Sequence, residues 1–253
     1  FSMLNTFFFF FNTLQIYQWV LLGAFAVVFL LKFTGLFLFP GKIVFQKLTF
    51  TEKSVPFSLL LTFRNEEDNL RKNLPPLLNS IDNESEVVAV DDFSQDNSLP
   101  VLGVLRRKYA NLKVSSLNQE TLYSGKMAQN IALKAAKNEW VLVVPPSISE
   151  YERLWLSGIS SYFNEETNFV VNYSNIRREH RFINLMYRCE LFFQQLKSAG
   201  FITNGLAYIG FEENVAFRKE LYFKAGGYRK NVTEHFANFE LLINSIIKKR
   251  KTS

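Results

Sequence analysis

The sequence predicts an α/β protein with a doubly wound, mostly parallel sheet, preceded by an N-terminal transmembrane helix. Continuous apolar runs without polar alternation, typical of buried parallel strands, recur along the chain. Segments with helical periodicity separate these runs, which is the order expected of right-handed strand–helix–strand units. Before them, residues 16–31 carry no charged side chain, and the apolar stretch extends over 14–39. About 20 apolar residues are enough to cross a bilayer.

The charges around this first segment predict its orientation. Lys32, Lys42, Lys47 and Lys53 follow the apolar stretch, whereas no Lys or Arg precedes it. Positive charge is retained on the cytoplasmic side, so we expect a single-pass anchor with the rest of the chain in the cytoplasm, at a bacterial inner membrane. A signal peptide is the alternative, but a basic start and a small-residue cleavage site are not evident. Residues 1–50 therefore form the predicted anchor and juxtamembrane segment, and 51–253 the predicted main domain.

The first half of the main domain alternates strands and helices. Residues 57–63 are a continuous apolar strand, and Glu66 to Asp68 place acids in the first turn of the helix that follows. Pro75 and Pro76 should limit how regular that helix is. The next elements are a strand at 87–90, a helix at 96–109, a strand at 112–116, an alanine-rich helix after Gly125 and a strand at 140–144.

The second half is less regular. The spacing of apolar residues predicts helices at 154–163, 182–199, 221–225 and 241–247, and strands at 169–173 and 214–218. Gly226 and Gly227 are a C-terminal stop for the short helix.

Composition narrows the classes of function. The chain is 48% hydrophobic, which excludes general disorder. Its one cysteine, Cys189, excludes a disulfide framework or a multi-cysteine metal site and is expected to be buried. The net charge of +6 is modest and lies in patches that suit a membrane surface better than nucleic acid.

Paired carboxylates follow the second strand directly. Asp91 and Asp92 end the apolar run at 87–90, and loops at the carboxyl ends of parallel strands form the ligand crevice of open α/β sheets. Asp96 is the last aspartate of the chain, so the second half lacks the side chain that most often holds Mg²⁺ or Mn²⁺.

Four motifs, in order, resemble those of family 2 glycosyltransferases. They are Leu61-Thr62-Phe63-Arg64-Asn65-Glu66, Val90-Asp91-Asp92-Phe93-Ser94, Gly125-Lys126, and Asn214-Val215-Ala216-Phe217-Arg218-Lys219 before Gly226-Gly227-Tyr228. The resemblance covers about 56–244 and is nearest to the membrane-anchored bacterial branch of these inverting, GT-A type enzymes. It implies a Rossmann-like domain with a nucleotide-binding half at about 56–148 and an acceptor-side half at about 149–253. Relatives of this branch usually continue into further membrane segments, so the C-terminus is expected to be truncated.

The resemblance also implies a donor site for a nucleotide-diphosphate sugar. Thr62, Arg64 and Glu66 would line the nucleoside pocket, and Asp92 would accept a hydrogen bond from the base. Asp91 is a further candidate residue for binding the nucleotide sugar. Lys126, near a helix start, would approach phosphate. The alternative is that Glu66 only charges a helix end and that the two aspartates form a polar turn.

The catalytic motifs of the family are replaced in this chain. Pro145, Pro146 and Ser147 stand where the family carries the Asp-x-Asp that binds a divalent cation, so no metal ligand is assigned and no cofactor is evident. Asn238 stands at the position of the general base, with Glu240 as the other candidate catalytic residue. The arginines at 177, 178 and 181 are either a basic substitute for the cation or a solvated or membrane-facing surface.

The resemblance implies sugar transfer from a nucleotide-diphosphate donor to a membrane-associated acceptor, lipid-linked or glycan. The alternative is a catalytically inactive pseudoenzyme that binds a nucleotide or a partner at the membrane, and whether the chain is an enzyme stays open at this point.

Overall fold

The computed structural model describes residues 15–34, 55–120, 125–149, 153–204 and 215–230. The predicted helix at 241–247 and the candidate residues Asn238 and Glu240 lie outside them. The helices are α1 Ile16–Phe33, α2 Glu67–Ser80, α3 Ser98–Lys108, α4 Lys126–Ala135, α5 Arg153–Ser160, α6 Phe182–Thr203 and α7 Lys219–Lys224, followed by a 3₁₀ turn at Gly227–Lys230. The strands are β1 Phe57–Phe63, β2 Glu86–Asp91, β3 Leu112–Ser116, β4 Trp140–Val143, β5 Phe169–Val171 and β6 Val215–Arg218.

The strands form one sheet in the order β3-β2-β1-β4-β6-β5. The first four are parallel, and β6 adds to β4 in the antiparallel sense, with β5 antiparallel to β6. This confirms the prediction of a mostly parallel α/β sheet. Both strands from the second half of the chain extend the sheet at one edge, so the two halves share a core. The proposed division into a donor half and an acceptor half remains a prediction.

Helices cover both faces of the sheet, because the strands are apolar on both sides. Leu59 and Leu61 of β1 pack with α2, α3 and α5 on one face. Leu60 points to the opposite face, where it packs with Ala128 and Ala132 of α4. All of these side chains are at most 2% exposed. The small alanine side chains let α4 approach the sheet closely, and this fixes where its N-terminus lies.

Some element boundaries differ from the predicted ones. Helix α5 ends at Ser160 rather than at 163, and Phe163 stacks on Trp140 with ring centroids 4.2 Å apart. The free energy gained by burying that aromatic pair outweighs the gain from extending the helix by three residues. Helix α2 continues through Pro75 and Pro76, since the leucines around them are buried against the sheet.

Helix α1 is apolar throughout and has no buried residue. Its 18 residues have a mean hydropathy of 1.9, long and apolar enough to cross a membrane. Such a helix near an N-terminus is either an anchor or a signal sequence.

Candidate functional site

The carboxyl ends of the parallel strands meet at one edge of the sheet. There the backbone N–H of Asp92 donates to the Phe63 carbonyl oxygen at 2.8 Å, and that of Leu117 donates to the Asp91 carbonyl oxygen at 2.9 Å. These bonds continue the ladder beyond the strands and keep the loops after β1, β2 and β3 side by side. Open α/β sheets bind ligands at this edge, and we call the space between these loops the crevice.

The loops after β1 and β2 are joined by side-chain hydrogen bonds. The backbone N–H of Asn65 donates to Ser94 Oγ at 2.9 Å, and that of Gln95 donates to Asn65 Oδ1 at 2.7 Å. The N–H of Glu66 donates to Ser98 Oγ at 2.9 Å. Because each loop satisfies backbone donors of the other, the two loops form one preorganised wall of the crevice.

The carboxylate of Asp91 is used inside this wall. It accepts hydrogen bonds from the backbone N–H of Ser94, at 3.3 Å, and from the Ser94 hydroxyl. The residue is only 3% exposed, and the turn is completed by Phe93 in a left-handed conformation with φ 59°. A non-glycine residue takes that conformation only where its surroundings impose it. Asp91 therefore shapes the loop.

Asp92 lies at the start of helix α4. Its Oδ2 accepts a hydrogen bond from the backbone N–H of Gly125 at 3.0 Å, and Gly125 has φ 75°, which favours glycine. Helix N-termini carry partial positive charge, so the carboxylate and the helix attract each other. Strand alternation places Thr62, paired with Val90 in the register, on this same α4 side of the sheet.

Arg64 lies near both aspartates. Its guanidinium donates to Glu120 Oε1 at 2.6 Å, and the two side chains are 35% and 63% exposed. The hydrogen bond with Glu120 raises the pKa of Arg64 above its ordinary value, and attraction to Asp92 and Asp91 adds to that rise. An exposed ion pair contributes little to stability. Arg64 can therefore exchange Glu120 for another anion at low cost.

The other two predicted donor-site residues differ in exposure. Lys126 is the first residue of α4 and is only 4% exposed. Glu66 precedes α2, and its carboxylate accepts a hydrogen bond from Asn69 at 2.6 Å. The structure thus brings Thr62, Arg64, Asp92 and the α4 N-terminus to one crevice, with Glu66 on its wall.

The end of β4 carries no carboxylate. Strand pairing continues to Val144, whose N–H donates to the Leu60 carbonyl oxygen at 3.1 Å, and Pro145, Pro146 and Ser147 follow directly. The Pro146 carbonyl oxygen accepts a hydrogen bond from Asn73 at 3.0 Å, so the turn is tied to α2. Among the described residues there is no group of three or more His, Cys, Asp or Glu side chains that could hold a metal ion. The residues present at this turn do not fit a divalent cation.

Residue-by-residue reading of the sequence missed three supporting residues. Ser94 follows Asp91 by three positions, a spacing typical of Asp-initiated turns, so this partnership had a sequence signal. Ser98 had only the weaker signal of a polar residue at a helix start. Glu120 had none, because its contact with Arg64 spans 56 residues of sequence.

A mostly parallel α/β sheet with carboxylates, an arginine and a helix N-terminus at its carboxyl edge is typical of nucleotide-binding proteins. Residues 58–201 match the model of the family "Glycosyl transferase family 2". The chain belongs to this family.

Curated relatives agree with this assignment. Poly(ribitol-phosphate) beta-N-acetylglucosaminyltransferase TarS of Staphylococcus aureus is 40% identical over 94 residues, which is 35% of this chain and 15% of that protein. Poly(ribitol-phosphate) beta-glucosyltransferase of Bacillus spizizenii is 34% identical over 91 residues, 34% of this chain and 14% of that protein. The matched segment is thus a small part of either relative.

A solved structure supports the fold. The mannosyltransferase PcManGT from Pyrobaculum calidifontis, in complex with GDP-Man and Mn²⁺, aligns with a TM-score of 0.61 at 17% identity. The alignment covers 82% of this chain and 59% of that one. At this level of identity the likeness confirms the Rossmann-like GT-A architecture.

Proposed function

We propose that this chain binds a nucleotide-diphosphate sugar at the carboxyl edge of its sheet and transfers the sugar to a membrane-associated acceptor. The observation that carries the proposal is the convergence of Asp92, Arg64 and the N-terminus of α4. A base offers N–H donors, and a diphosphate offers negative charge. The crevice supplies the acceptor for the first and the positive groups for the second.

Each donor-site residue has a distinct role in this proposal. Asp92 accepts a hydrogen bond from the base, beside Thr62 and Glu66, which line the nucleoside pocket. Arg64, which the resemblance assigns to the nucleoside pocket, is assigned here to the diphosphate, because its exposed guanidinium can leave Glu120 for another anion. Lys126 adds positive charge behind the helix N-terminus.

Asp91 acts by positioning. Its carboxylate is bound to Ser94, which also accepts the N–H of Asn65. Through that link Asp91 holds the backbone that carries Arg64.

The two curated relatives are named for different sugars, N-acetylglucosamine and glucose, and for the same poly(ribitol-phosphate) acceptor. We therefore propose a lipid-linked or glycan acceptor and assign no sugar.

Donor binding by this chain is proposed to be independent of a divalent cation, unlike the Mn²⁺ complex of the solved mannosyltransferase. The support is the turn at Pro145 to Ser147, where the described side chains offer no carboxylate. The general-base position, Asn238, holds an amide that cannot take up a proton at neutral pH. Glu240 is the candidate that remains.

The same two substitutions favour the second candidate function, a catalytically inactive scaffold that keeps nucleotide binding. In both proposals α1 is an uncleaved anchor and the domain at 51–253 faces the cytoplasm, as the lysines after α1 indicate.

Calorimetric titration of the purified full chain with UDP and GDP, with and without Mn²⁺, tests the donor site. We expect binding of one nucleotide, unchanged by Mn²⁺ and weakened about tenfold or more in Arg64→Gln, since a charge-assisted hydrogen bond contributes about 1.5–3 kcal/mol. Lys224→Gln is the matched control, because it removes an exposed ion pair of similar length on α7. Binding that requires Mn²⁺ would contradict cation independence, and no binding of either nucleotide would contradict the donor site.

A further inference from the structure

The amino-terminal half of α6 projects from the domain with its apolar side chains uncovered. Phe182 is 75% exposed and Tyr187 63%. Ile183, Leu185, Met186, Phe192 and Phe193 are also exposed, as is Cys189. A contiguous patch of this size on a soluble surface marks a place where something else binds. We call residues 182–193 the apolar segment of α6.

An extended strap holds basic residues against this helix. Asn184 donates to the Arg177 carbonyl oxygen at 3.0 Å and accepts the N–H of Glu179 at 3.0 Å. Further along, Gln195 accepts the N–H of Ser174 at 2.7 Å. The strap at 173–181 therefore runs back along α6 and delivers its charges to the start of the apolar segment.

Four arginines gather there. Arg177, Arg178 and Arg181 are exposed, and Arg188 comes from α6 itself. Three of them, Arg178, Arg181 and Arg188, line an open concavity together with Glu179, His180 and Phe182. No ion pair involves these arginines within the part of the chain that the structure describes, and the Nε of Arg188 is buried without a hydrogen-bond partner there. We call these four residues the arginine cluster.

We propose that the apolar segment of α6 lies on the surface of an anionic membrane, with lipid phosphate at the arginine cluster. A helix with large apolar side chains beside arginines has the composition of an interfacial helix, whose apolar face sinks into the headgroup boundary. Phosphate also offers acceptors to the Nε of Arg188 and to the exposed guanidinium groups, which a purely apolar partner would leave unsatisfied. An anionic bilayer meets both demands, with acyl chains for the apolar side chains and phosphate for the arginines.

A second apolar surface in the same chain supports this choice. Helix α1 has no buried residue and can cross a bilayer. Docking of α6 deepens the membrane association proposed above, but it does not require α1 to be an anchor and is independent of nucleotide binding. It would hold the domain against the bilayer, where a membrane-associated acceptor is presented.

Cys189 makes the test direct, because it is the single cysteine of the chain and is exposed on the apolar segment. The full chain is labelled there with an environment-sensitive fluorophore and reconstituted with vesicles of phosphatidylcholine, alone or with about one-third phosphatidylglycerol. The acyl chains carry a shallow nitroxide quencher. We expect strong quenching in the anionic vesicles, weaker quenching in the neutral ones, and a decrease with added salt.

Two variants provide the controls. Val104→Cys in a Cys189→Ser background moves the label to an exposed position on α3 and should not be quenched. Replacing Arg178, Arg181 and Arg188 by Gln should lower the ratio of docked to undocked chain about fivefold per arginine, the equivalent of ~1 kcal/mol each.

Flotation of the same samples separates the two proposals. A chain that floats with both vesicles but leaves the Cys189 label unquenched overturns the docking of α6 alone. If the chain floats only with the anionic vesicles and its label is quenched there, the docking of α6 is supported and the anchor is overturned. Failure to float with either overturns both. If the label is equally protected from solvent with and without lipid, another part of this chain covers the surface. If that protection grows with protein concentration, a second copy covers it. Either result overturns the docking.

Discussion

One buried carboxylate, that of Glu86, lies at the start of strand β2, and another, that of Asp92, lies just beyond its end. The two differ in how fully the protein satisfies them. At the start of β2, Glu86 is 2% exposed and accepts hydrogen bonds from Ser58 Oγ at 2.7 Å and from the backbone N–H of Lys137 at 2.6 Å, with Lys113 Nζ at 2.9 Å. Just beyond its end, Asp92 accepts one hydrogen bond from the residues that the structure describes, and its donor is Gly125. The carboxylate at the start is saturated by the protein. The one beyond the end keeps acceptor capacity in a crevice beside Arg64.

The end of β4, two strands from the end of β2 in the same sheet, completes the comparison. By the resemblance, this is where the family carries its metal-binding acids, and this chain has Pro145, Pro146 and Ser147 there. The carboxylates of Glu86 and Asp91 are bound within the fold and shape its loops, whereas no hydrogen bond of the described residues requires a carboxylate at this turn. Stability and catalysis place separate demands on this sheet, and each can be tested alone.

The largest effect is expected from restoring the replaced acids. Pro145→Asp and Ser147→Asp together with Asn238→Asp should raise hydrolysis of a nucleotide sugar at least about 100-fold in the presence of Mn²⁺, because a general base contributes 10²–10⁴-fold. The measurement is release of UDP or GDP at saturating donor. Pro145→Asp with Ser147→Asp alone should gain Mn²⁺-enhanced nucleotide binding without that rate. A wild-type rate within tenfold of the restored variant would show that these positions do not limit the reaction.

The next effect distinguishes the two ends of β2. Asp92→Asn keeps one oxygen that accepts the Gly125 N–H. Its NH₂ group replaces the second acceptor oxygen, so a donor then faces the N–H donors of the base. The substitution should weaken nucleotide binding about tenfold or more, with little change in the free energy of unfolding. Calorimetry and urea unfolding measure the two quantities. Asp68→Asn, an exposed acid in the first turn of α2, is the control. A loss of stability without a loss of binding would make Asp92 a structural residue like Glu86.

Glu86→Gln should show the opposite pattern, with donor binding unchanged and a free energy of unfolding lower by about 1.5–3 kcal/mol, the range for hydrogen bonds to a charged group. Burial alone would raise the pKa of Glu86, but the hydrogen bonds from Lys137, Lys113 and Ser58 outweigh it and hold the pKa below its ordinary value of 4.5. The contribution of this carboxylate is therefore complete above pH 4.5 and lost as the pH falls through the lowered pKa.

Urea unfolding of wild type and Glu86→Gln as a function of pH checks this sign. The difference between them should shrink on acidification below pH 4.5. Glu84→Gln, an exposed acid two residues earlier, should match wild type throughout. A difference that grows on acidification would mean that Glu86 is protonated in the folded protein.

Much of the fold could be predicted from the sequence, because its parallel strands are apolar on both faces. The run at 57–63 and the alanine spacing of α4 specify their elements by composition alone. Two contacts could not be predicted, the Arg64–Glu120 ion pair and the stacking of Phe163 on Trp140. Each joins residues far apart in sequence, and the local sequence pattern contains no information about such contacts. Cys189 was expected to be buried and is exposed, because the periodicity of α6 fits a core helix and does not reveal that its first half projects from the domain.

The residues of the sequence motifs do not all have the same role, because some of them hold the fold together. Arg218 belongs to a family motif, yet its guanidinium is bound to the carbonyl oxygens of Thr167 and Asn164 and to Glu139, and lies 5.3 Å from the Trp140 ring. These contacts fasten β6 to the amino end of β4, away from the crevice. A motif position in this chain can therefore be a structural clamp, and only the contacts distinguish it from a binding residue.

The smallest effect concerns the ion pair that holds Arg64. If the guanidinium must leave Glu120 to reach a diphosphate, Glu120→Gln removes a competitor and should tighten nucleotide binding by less than about fivefold, since exposed pairs contribute 0.2–1 kcal/mol. The gain should fade at high salt, where both attractions are screened. Glu220→Gln, which breaks the exposed pair with Lys224 on α7, should change nothing. Weaker binding in Glu120→Gln would mean that Glu120 orients Arg64 toward the ligand, and the pair would then belong with Asp91 and Ser94 among the contacts that shape the crevice.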